Sequence, residues 1–301
     1  MKYPKQKPQQ LDASHEITLP IELLDIGIVR RVASVRSHCA SRITWHSHDC
    51  CEILLLSDGA TEYEFRNNHK VNLSGGEFLA IPPGVEHRGV NNVRRPAMLT
   101  GIMIDLHSMN ALKNTPFTPD DLAWISDQFE ADQIVPHKMT SELCNLIKTL
   151  RRVSSAEPKQ VHWIISLRLK LCEIIVEVAK QISVQRIEET RAIVERTIDY
   201  MKNNFENPSS IDTIAKCVQC SRARLFEIFK DSTGISPNDY WQRLRIDTAQ
   251  DLLAKSDKSI TEIALQCGFN TSQYFSSVFR KYAGESPSDF RKRNLIQSET
   301  S

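Results

Sequence analysis

Three histidines and one glutamate in the first third of the chain have the types and spacing of a metal-binding site. His46 and His48 are two residues apart, Glu52 follows four residues after His48, and His87 lies further along the chain. In a β-strand, side chains two residues apart point to the same face, which groups His46 with His48 and, where pairing stays regular, with Glu52. Three imidazoles and one carboxylate that converge inside a barrel would form a divalent-metal site with open coordination positions.

The elements that must position these side chains are short β-strands. Between Ile26 and Met103, short apolar and β-branched runs alternate with glycine, asparagine and proline, which is typical of strands joined by tight turns. The clearest strands are Ile53–Leu56, Thr61–Phe65, Glu77–Ile81 and Met98–Ile104, and the clearest turns are Asn67-Asn68, Gly75-Gly76 and Pro82-Pro83-Gly84. Many short strands with frequent turns predict a small barrel or sandwich.

The residues of this region resemble the two cupin motifs. The motifs read His46-x-His48-x3-Glu52-x6-Gly59 and Gly76-x5-Pro82-x-Gly84-x2-His87-x3-Asn91. In metal cupins the four matching positions are the ligands, so the resemblance implies a divalent metal at His46, His48, Glu52 and His87. In regulators with a cupin-like domain, such residues also line a sugar or small-molecule pocket or only hydrogen-bond to one another, and both alternatives stay open. Further candidates for the pocket or its rim are Trp45, Glu62, Tyr63, Arg66 and Arg88.

The bulk properties of the 301-residue chain fit two globular domains. The formal net charge of +1 does not by itself indicate binding to nucleic acid, so DNA binding must depend on where the cationic side chains lie. No apolar run approaches the roughly 20 residues that span a bilayer, and no secretory segment is visible, which predicts a cytoplasmic protein without a membrane partner. The eight cysteines, including Cys217-x-x-Cys220, lack the spacing of a zinc site and are predicted to be unpaired thiols.

A helical region follows the strands. Apolar spacing predicts helices over Asp120–Ala131, Thr140–Val153 and Pro158–Ile182, and the polar stretch Gln181–Thr190 is the predicted link to the next domain. The third helix has two apolar faces, one with Ile164, Leu167, Leu171, Ile174 and Val178 and the other with Ile165, Leu169, Cys172 and Val176. A helix that is apolar on two sides needs two partners. We expect the first face to form a homodimer contact, with packing inside one chain as the alternative.

The last third of the chain contains one pattern twice. Ile211-Asp-Thr-Ile214-Ala215 corresponds to Ile260-Thr-Glu-Ile263-Ala264, and Ser221 further on corresponds to Thr271. Each copy predicts a short helix, a turn, an N-capping Ser or Thr, and a second helix with a buried apolar stripe. Such a unit is a helix-turn-helix, whose second helix can enter the major groove of DNA. A generic all-α repeat without a ligand would give a similar pattern.

Residues 193–293, which include both copies, resemble the AraC/XylS-type transcription regulators. The resemblance is carried by Gly268-Phe269, by Tyr274-Phe275, and by the ending Ser286-Pro287-Ser-Asp-Phe290-Arg291. It implies sequence-specific binding to double-stranded DNA and a long helix over Pro237–Ala254 that holds both motifs on one face of the DNA. RNA polymerase is a further partner that such a regulator can contact, whereas activation or repression stays open.

The polar faces of the two second helices supply the candidate DNA-contacting residues. In the first, they lie opposite Leu225, Ile228 and Phe229, where arginine suits guanine and glutamate suits cytosine. In the second, glutamine suits adenine, while serine and arginine suit phosphate. The predicted DNA-binding residues are Arg222, Ala223, Arg224, Glu227, Lys230, Asn270, Thr271, Ser272, Gln273, Ser277 and Arg280.

These patterns together predict an α+β multidomain protein, with an N-terminal cupin-like β-barrel, a helical linker and a C-terminal all-α double helix-turn-helix domain. The predicted divisions are 1–20 (mobile N-terminus), 21–118 (sensor), 119–185 (linker and dimerisation), 186–293 (DNA binding) and 294–301 (tail). The predicted function is a homodimeric transcription regulator without catalytic residues, which responds to a small-molecule effector such as a sugar. The alternative is a metal-dependent cupin enzyme with a DNA-binding tail. No second carboxylate or nucleophile accompanies the four candidate ligands, which favours the regulator.

Overall fold

The computed structural model describes residues 15–130, 134–155, 161–206 and 210–299. The chain divides into two units, Met1–Gln185 and Arg186–Ser301. Within the described ranges, every strand lies in the first unit and the second unit is helical, which confirms the predicted α+β class with a β-rich sensor region and an all-α C-terminal part. None of the described helices is long and apolar enough to cross a bilayer.

The strands described in the first unit pair with one another in antiparallel fashion. They are β1 (His15–Thr18), β2 (Val29–Arg36), β3 (Ser41–Arg42), β4 (Cys51–Phe65), β5 (Lys70–Ser74), β6 (Glu77–Ile81), β7 (His87–Gly89), β8 (Val93–Arg94), β9 (Ala97–Ile104) and β10 (His137–Lys138). The main sheet has the order β1-β2-β9-β4-β6-β10, while β5 and β7 also pair with β4 and β3 pairs with β8.

The 15-residue strand β4 pairs with four other strands of the sheet. Its first part pairs with β6 and β9, and its last part, from Ala60, pairs with β5 and β7. A register shift between Leu56 and Asp58 and a φ of 91° at Gly59 let the strand bend between the two parts. The prediction of two separate strands here is wrong, because the ladder passes to new partner strands instead of ending.

Alternate residues of β4 supply two different cores. Leu54 and Leu56 belong to the cluster inside the barrel, together with Tyr63 and Phe65. Ile53 and its alternate neighbours belong to a second cluster, which packs against the helices of the same unit. The strand is therefore apolar on both faces, which explains why its sequence reads as a continuous apolar run rather than as an alternating one.

The helices described from the first unit are α1 (Ile21–Leu24), α2 (Pro119–Phe129), α3 (Ser141–Ser154) and α4 (Val161–Asn203), whose range passes the division between the units. Thr118 and Thr140 cap α2 and α3 by accepting backbone N–H groups of the first helical turn. The predicted helix start at Pro158 lies outside the described residues. The division between the two units falls within the predicted link, Gln181–Thr190, and this stretch, which contains no glycine or proline, is part of α4.

The apolar face of α4 that was expected to form a dimer is buried inside the first unit. Leu167, Leu171, Ile174 and Val178 have no exposed surface and belong to the cluster between the helices and the sheet. The alternative, packing inside one chain, therefore holds for this face. The second apolar face differs, since Ile165, Leu169 and Val176 are 48%, 49% and 36% exposed, although Cys172 is buried.

Three terminal and linking segments are more ordered than the sequence predicted. Residues 1–14 lie outside the described part, but His15–Thr18 forms β1, because its backbone pairs with the edge of β2. The helical linker region contributes β10, which pairs with β6. Residues 294–299 of the predicted tail continue the last helix, while residues 300–301 lie outside the described part.

Each of the eight cysteines is a free thiol, as predicted.

The second unit contains α5 (Ile211–Cys217), α6 (Arg222–Thr233), α7 (Pro237–Lys255), α8 (Ile260–Gln266), α9 (Ser272–Ala283) and α10 (Pro287–Glu299). The predicted caps are confirmed, because Ser221 and Thr271 accept the backbone N–H of Arg224 and Tyr274. Ser210 caps α5. One apolar cluster joins the end of α4 to α5, α6 and the start of α7, and another joins the end of α7 to α8, α9 and α10.

Candidate metal centre and nucleic-acid interface

An isolated β-bridge brings the first and last histidines of the metal-binding pattern together. His46 and His87 exchange two backbone hydrogen bonds, of 3.1 and 2.9 Å, and their ring centroids lie 4.2 Å apart. Neither His46 nor His48 lies in a long strand, so the simple alternation expected from the sequence is not what aligns them. Glu52 comes from the beginning of β4, whereas His87 comes from β7 and pairs with Phe65 at the other end of β4.

The four candidate ligands converge. One ligand atom from each of His46, His48, Glu52 and His87 lies within 4.8 Å of the others. Glu52 Oε2 is 3.1 Å from His87 Nε2 and 3.7 Å from His48 Nε2. His87 is 1% exposed, whereas the other three side chains keep some contact with solvent, so the group is closed on its inner side and open on its outer side.

Two backbone carbonyls orient the imidazoles. His46 Nδ1 lies 2.7 Å from the carbonyl oxygen of Thr44, and His87 Nδ1 lies 3.0 Å from that of Val85. A carbonyl only accepts, so each Nδ1 donates to it, and Nε2 is the ring nitrogen left for the group; for His87 this atom lies 3.1 Å from Glu52 Oε2. These carbonyl anchors were missed by the sequence reasoning, although both lie two residues before the histidine that they hold.

The pKa shifts of Glu52 and His48 favour the forms of these two side chains that bind a metal. Burial works to raise the pKa of Glu52, but the hydrogen bond from His87 and the charges of the histidines outweigh it and lower the pKa below its ordinary value. Burial lowers the pKa of His48, against the opposing charge of Glu52. An ionised carboxylate and neutral imidazoles are the forms that ligate divalent metals of the first transition row, so this donor set fits such an ion.

The predicted rim residues are already engaged with one another. The guanidinium carbons of Arg66 and Arg88 lie 4.2 and 4.6 Å from the centre of the Trp45 ring. Arg66 also pairs with Glu86, and Arg88 donates to Glu64 at 2.9 Å. Two further candidates behave differently. Tyr63 is buried below His87, where burial raises its pKa to about 12, and Glu62 pairs with Arg95.

The second helix of each helix-turn-helix, α6 in the first copy and α9 in the second, is called here a recognition helix. The first recognition helix, α6, has three distinct sides. Leu225 and Phe229 are buried, and the side opposite them carries the exposed residues Ala223, Glu227 and Lys230. On one flank, Arg222 pairs with Asp212 of α5 at 2.9 Å and lies over the ring of Phe226. The ion pair with Asp212 was missed, because the two residues belong to different helices of the motif.

Arg224 lies on the other flank of α6, about a quarter-turn from the exposed side. It lines a cleft of about 580 Å³ between α6 and the part of α4 that belongs to the second unit. Glu227 borders the same cleft while remaining exposed. The sequence analysis placed Arg224 on the polar face, but it could not separate the flank that faces α4 from the side that faces solvent.

The second recognition helix, α9, exposes Gln273, Ser277 and Arg280 opposite its buried stripe. Thr271 is occupied as the N-cap, and Asn270 precedes it on the surface. The hydroxyl of Ser277 donates to the carbonyl of Gln273, and Ser272 is half-buried at the start of the helix. The side chain of Tyr274 is 54% exposed beside this face, and its ring is the largest exposed group near the predicted base contacts.

Comparison with known proteins finds two matching domain families. The family described as "Helix-turn-helix domain" matches residues 214–293, and the family described as "Cupin domain" matches residues 39–105. A relative from Pseudoalteromonas carrageenovora, named as an uncharacterized HTH-type transcriptional regulator in the cgkA 5' region, is 31% identical over 164 residues, which cover 54% of this chain and 98% of the relative. The HTH-type transcriptional activator RhaS of Escherichia fergusonii is 27% identical over 256 residues, which cover 82% of this chain and 87% of RhaS.

Solved structures resemble the C-terminal part of the chain. An AraC-type DNA-binding protein from Chromobacterium violaceum is 35% identical, with 35% of this chain and 93% of that one covered and a TM-score of 0.33. The DNA-binding domain of AdpA, solved in complex with a target DNA, is 25% identical, with coverages of 36% and 97% and a TM-score of 0.35.

Proposed function

Because the chain belongs to the family of AraC/XylS-type transcription regulators, we propose that it binds a two-part DNA operator and responds to a small-molecule effector. One observation carries the proposal. The second unit repeats a helix-turn-helix in which each recognition helix is N-capped and anchored by phenylalanine, and each leaves a polar side in solvent. A second helix held in this way can enter the major groove, so two such helices can contact two segments of one DNA duplex.

The proposed base contacts come from the sides of α6 and α9 that face solvent. Glu227 and Gln273 have side chains that can pair with base edges, while Lys230 and Arg280 suit phosphate oxygens. Arg222 is held by Asp212 at the edge of α6, where a phosphate contact is easier to reach than a base. Ala223, Asn270, Thr271, Ser272 and Ser277 remain candidates for close approach, and Arg224 remains a candidate from the flank beside α4.

The proposed sensor site is the group of His46, His48, Glu52 and His87, which would hold a divalent metal through three Nε2 atoms and one carboxylate oxygen. Such an ion supplies a Lewis acid that attracts the oxygen atoms of a small molecule, for example a sugar or a carboxylate. The open side of the group, next to the half-buried His48, is where this molecule would enter. If the group holds no metal, the same side chains can hydrogen-bond the effector directly.

We propose that two copies of the chain pair through the exposed stripe, defined as Ile165, Leu169 and Val176 on α4. These side chains follow at intervals of four and seven residues, so they lie on one side of the helix. The ion pair Lys170–Glu173 flanks them and would form a polar rim. A second copy fits this surface because a two-fold axis places the same stripe on both sides of the contact.

The remaining parts of the proposal follow from the family. RhaS and RhaR relatives are named as transcriptional activators, which supports activation rather than repression here. An activator would contact RNA polymerase, and a regulator of bacterial promoters would work in the cytoplasm.

The test is a selection of bound sequences from random DNA duplexes, followed by footprinting of the full chain on the selected operator. We expect two protected segments about 10 bp apart, since two readers on one face of the DNA are separated by about one helical turn. A single short protected segment would contradict the two-part reader. Repeating the selection with divalent metals and candidate sugars tests the sensor.

The rival function, a metal-dependent enzyme, is supported by the complete set of four ligand positions. It predicts substrate turnover by the metal-loaded full chain, and loss of that turnover in Glu52→Gln. Turnover of this kind, together with DNA binding that is the same with and without the substrate, would replace the sensor proposal.

A further inference from the structure

The second unit holds its two helix-turn-helix motifs together around one buried arginine. Arg245 lies in the middle of α7, and only 8% of its surface is exposed. Trp241, one turn earlier, belongs to the apolar cluster of the first motif, whereas Ile246 and Ala249 belong to the cluster of the second motif. Arg245 therefore lies at the junction of the two cores.

The guanidinium of Arg245 makes contacts on both sides of this junction. Its Nε donates to the carbonyl of Phe205, two residues after the end of α4, over 3.1 Å. Its guanidinium carbon lies 4.5 Å from the ring centre of Trp241 and 5.8 Å from that of Phe269, which precedes α9. Close contact with two aromatic rings and a directed hydrogen bond fix the position of a guanidinium in a way that a lysine ammonium cannot reproduce.

The backbone of the second motif also approaches the first at this point. Gly268 has a φ of +75°, and a Cβ atom there would lie 2.4 Å from the carbonyl oxygen of Phe205 and 3.2 Å from a terminal nitrogen of Arg245. The turn before α9 thus packs directly on the residues that Arg245 holds. A further hydrogen bond, from the Tyr282 hydroxyl to Asp239 at 2.8 Å, joins the end of α9 to the start of α7.

From this arrangement we infer that Arg245 is a positioning residue that fixes the spacing of the two recognition helices, and thereby the operator spacing that the protein accepts. The inference rests on the proposed two-part reader. One extra base pair between two subsites rotates one of them by about 35° and moves it by about 3.4 Å. A rigid pair of readers cannot follow this shift, whereas a pair that is loosened at its junction can.

The experiment measures the affinity of the full chain for the selected operator, and for operators with one base pair inserted or deleted between the subsites. For the wild type, we expect the insertion to weaken binding by about tenfold or more, since one reader loses its base contacts. Arg245→Met keeps the length of the side chain but removes its donors and its planar group. We define the spacing penalty as the factor by which the inserted base pair weakens binding. We expect this variant to reduce the spacing penalty to about threefold or less, with unchanged base preferences inside each subsite.

The control is Lys255→Met, which removes one positive charge from the same helix at an exposed position paired with Asp251. It should retain the wild-type spacing penalty. If Arg245→Met does not fold, Arg245→Lys is measured instead, and a smaller reduction of the same ratio is expected. An unchanged ratio in the folded variant overturns the role of Arg245.

The two proposals fail in different ways. A wild-type protein that shows no spacing penalty and no second protected segment refutes the two-part reader, and the inference on Arg245 with it. A wild-type penalty that Arg245→Met retains in full refutes only the positioning role. A purely structural role for Arg245 would lower the melting temperature and weaken binding to all operators by the same factor, which would leave the spacing penalty unchanged.

Discussion

Leu169 and Leu171 are two residues apart on α4, and the structure predicts opposite consequences for their replacement. Leu169 is 49% exposed in the stripe proposed as the dimer contact, whereas Leu171 is fully buried against the sheet. The perturbations are Leu171→Ala and Leu169→Ala for stability, and Leu169→Lys for assembly. The two alanine variants change the same residue type on the same helix, so helix propensity does not distinguish them.

For stability, a buried leucine truncated to alanine loses both its transfer free energy and its packing, which together cost about 2–5 kcal/mol. In a unit of this size, each kcal/mol lost from the free energy of unfolding lowers the melting temperature by roughly 2–4 °C, so Leu171→Ala should lower the melting temperature by roughly 4–20 °C. Leu169→Ala should change the free energy of unfolding by no more than about 0.5 kcal/mol. Thermal unfolding followed by circular dichroism, at concentrations where the wild type is monomeric, measures both.

For assembly, Leu169→Lys places two unpaired ammonium groups in an apolar two-fold contact, one from each copy. We expect a folded monomer by size-exclusion chromatography with light scattering, and a melting temperature close to that of the monomeric wild type. The reasoning is refuted if Leu169→Lys remains a dimer, because the stripe is then not the contact. It is refuted equally if Leu169→Ala destabilises the protein as much as Leu171→Ala, because the two faces of α4 would then be assigned wrongly.

Three other predictions concern the sites and the pH dependence of stability. His87→Ala should lower the bound divalent metal, measured by elemental analysis, to the level of a metal-free control, whereas His69→Ala, a histidine of the same barrel outside the group, should retain it. Gln273→Ala should reduce the binding free energy by about 1–3 kcal/mol and relax the base preference at one operator position, whereas Lys230→Ala should weaken binding to all sequences by the same factor. The reverse pattern would mean that Lys230 contacts a base and Gln273 a phosphate. Burial acts to raise the pKa of Glu177, but hydrogen bonds from Gln181, Lys180 and Thr140 outweigh it, so the pKa lies below its ordinary value. The ionised carboxylate therefore stabilises the fold at neutral pH, and this stabilisation is lost as the pH falls through the lowered pKa. Acid unfolding of Glu177→Gln should lack that part of the wild-type pH dependence, and identical curves would contradict it.

The double helix-turn-helix could be predicted from the sequence because its determinants are local. An N-capping Ser221 or Thr271 and an apolar stripe within the next eight residues act within one helix, and the second copy confirms the first. The convergence of His46, His48, Glu52 and His87 was predictable only through the spacing of a known motif. The backbone bridge that brings His46 and His87 together joins residues far apart in the chain, and no local periodicity reports such a contact.

Local patterns in the sequence predict the helices of both helix-turn-helix motifs, the residues where α6 and α9 begin, and the two apolar faces of α4. Only the tertiary structure decided which face of α4 the sheet covers, because periodicity counts apolar faces but does not identify the surface that packs on each. The tertiary structure also placed Arg224 on the flank beside α4 and Arg245 between the two motifs, since those positions depend on how separate helices pack. The backbone hydrogen bonds of a helix join residues four apart, so a helix can be predicted from local sequence. Its packing partners depend on the burial of apolar surface from distant residues, which local sequence does not report.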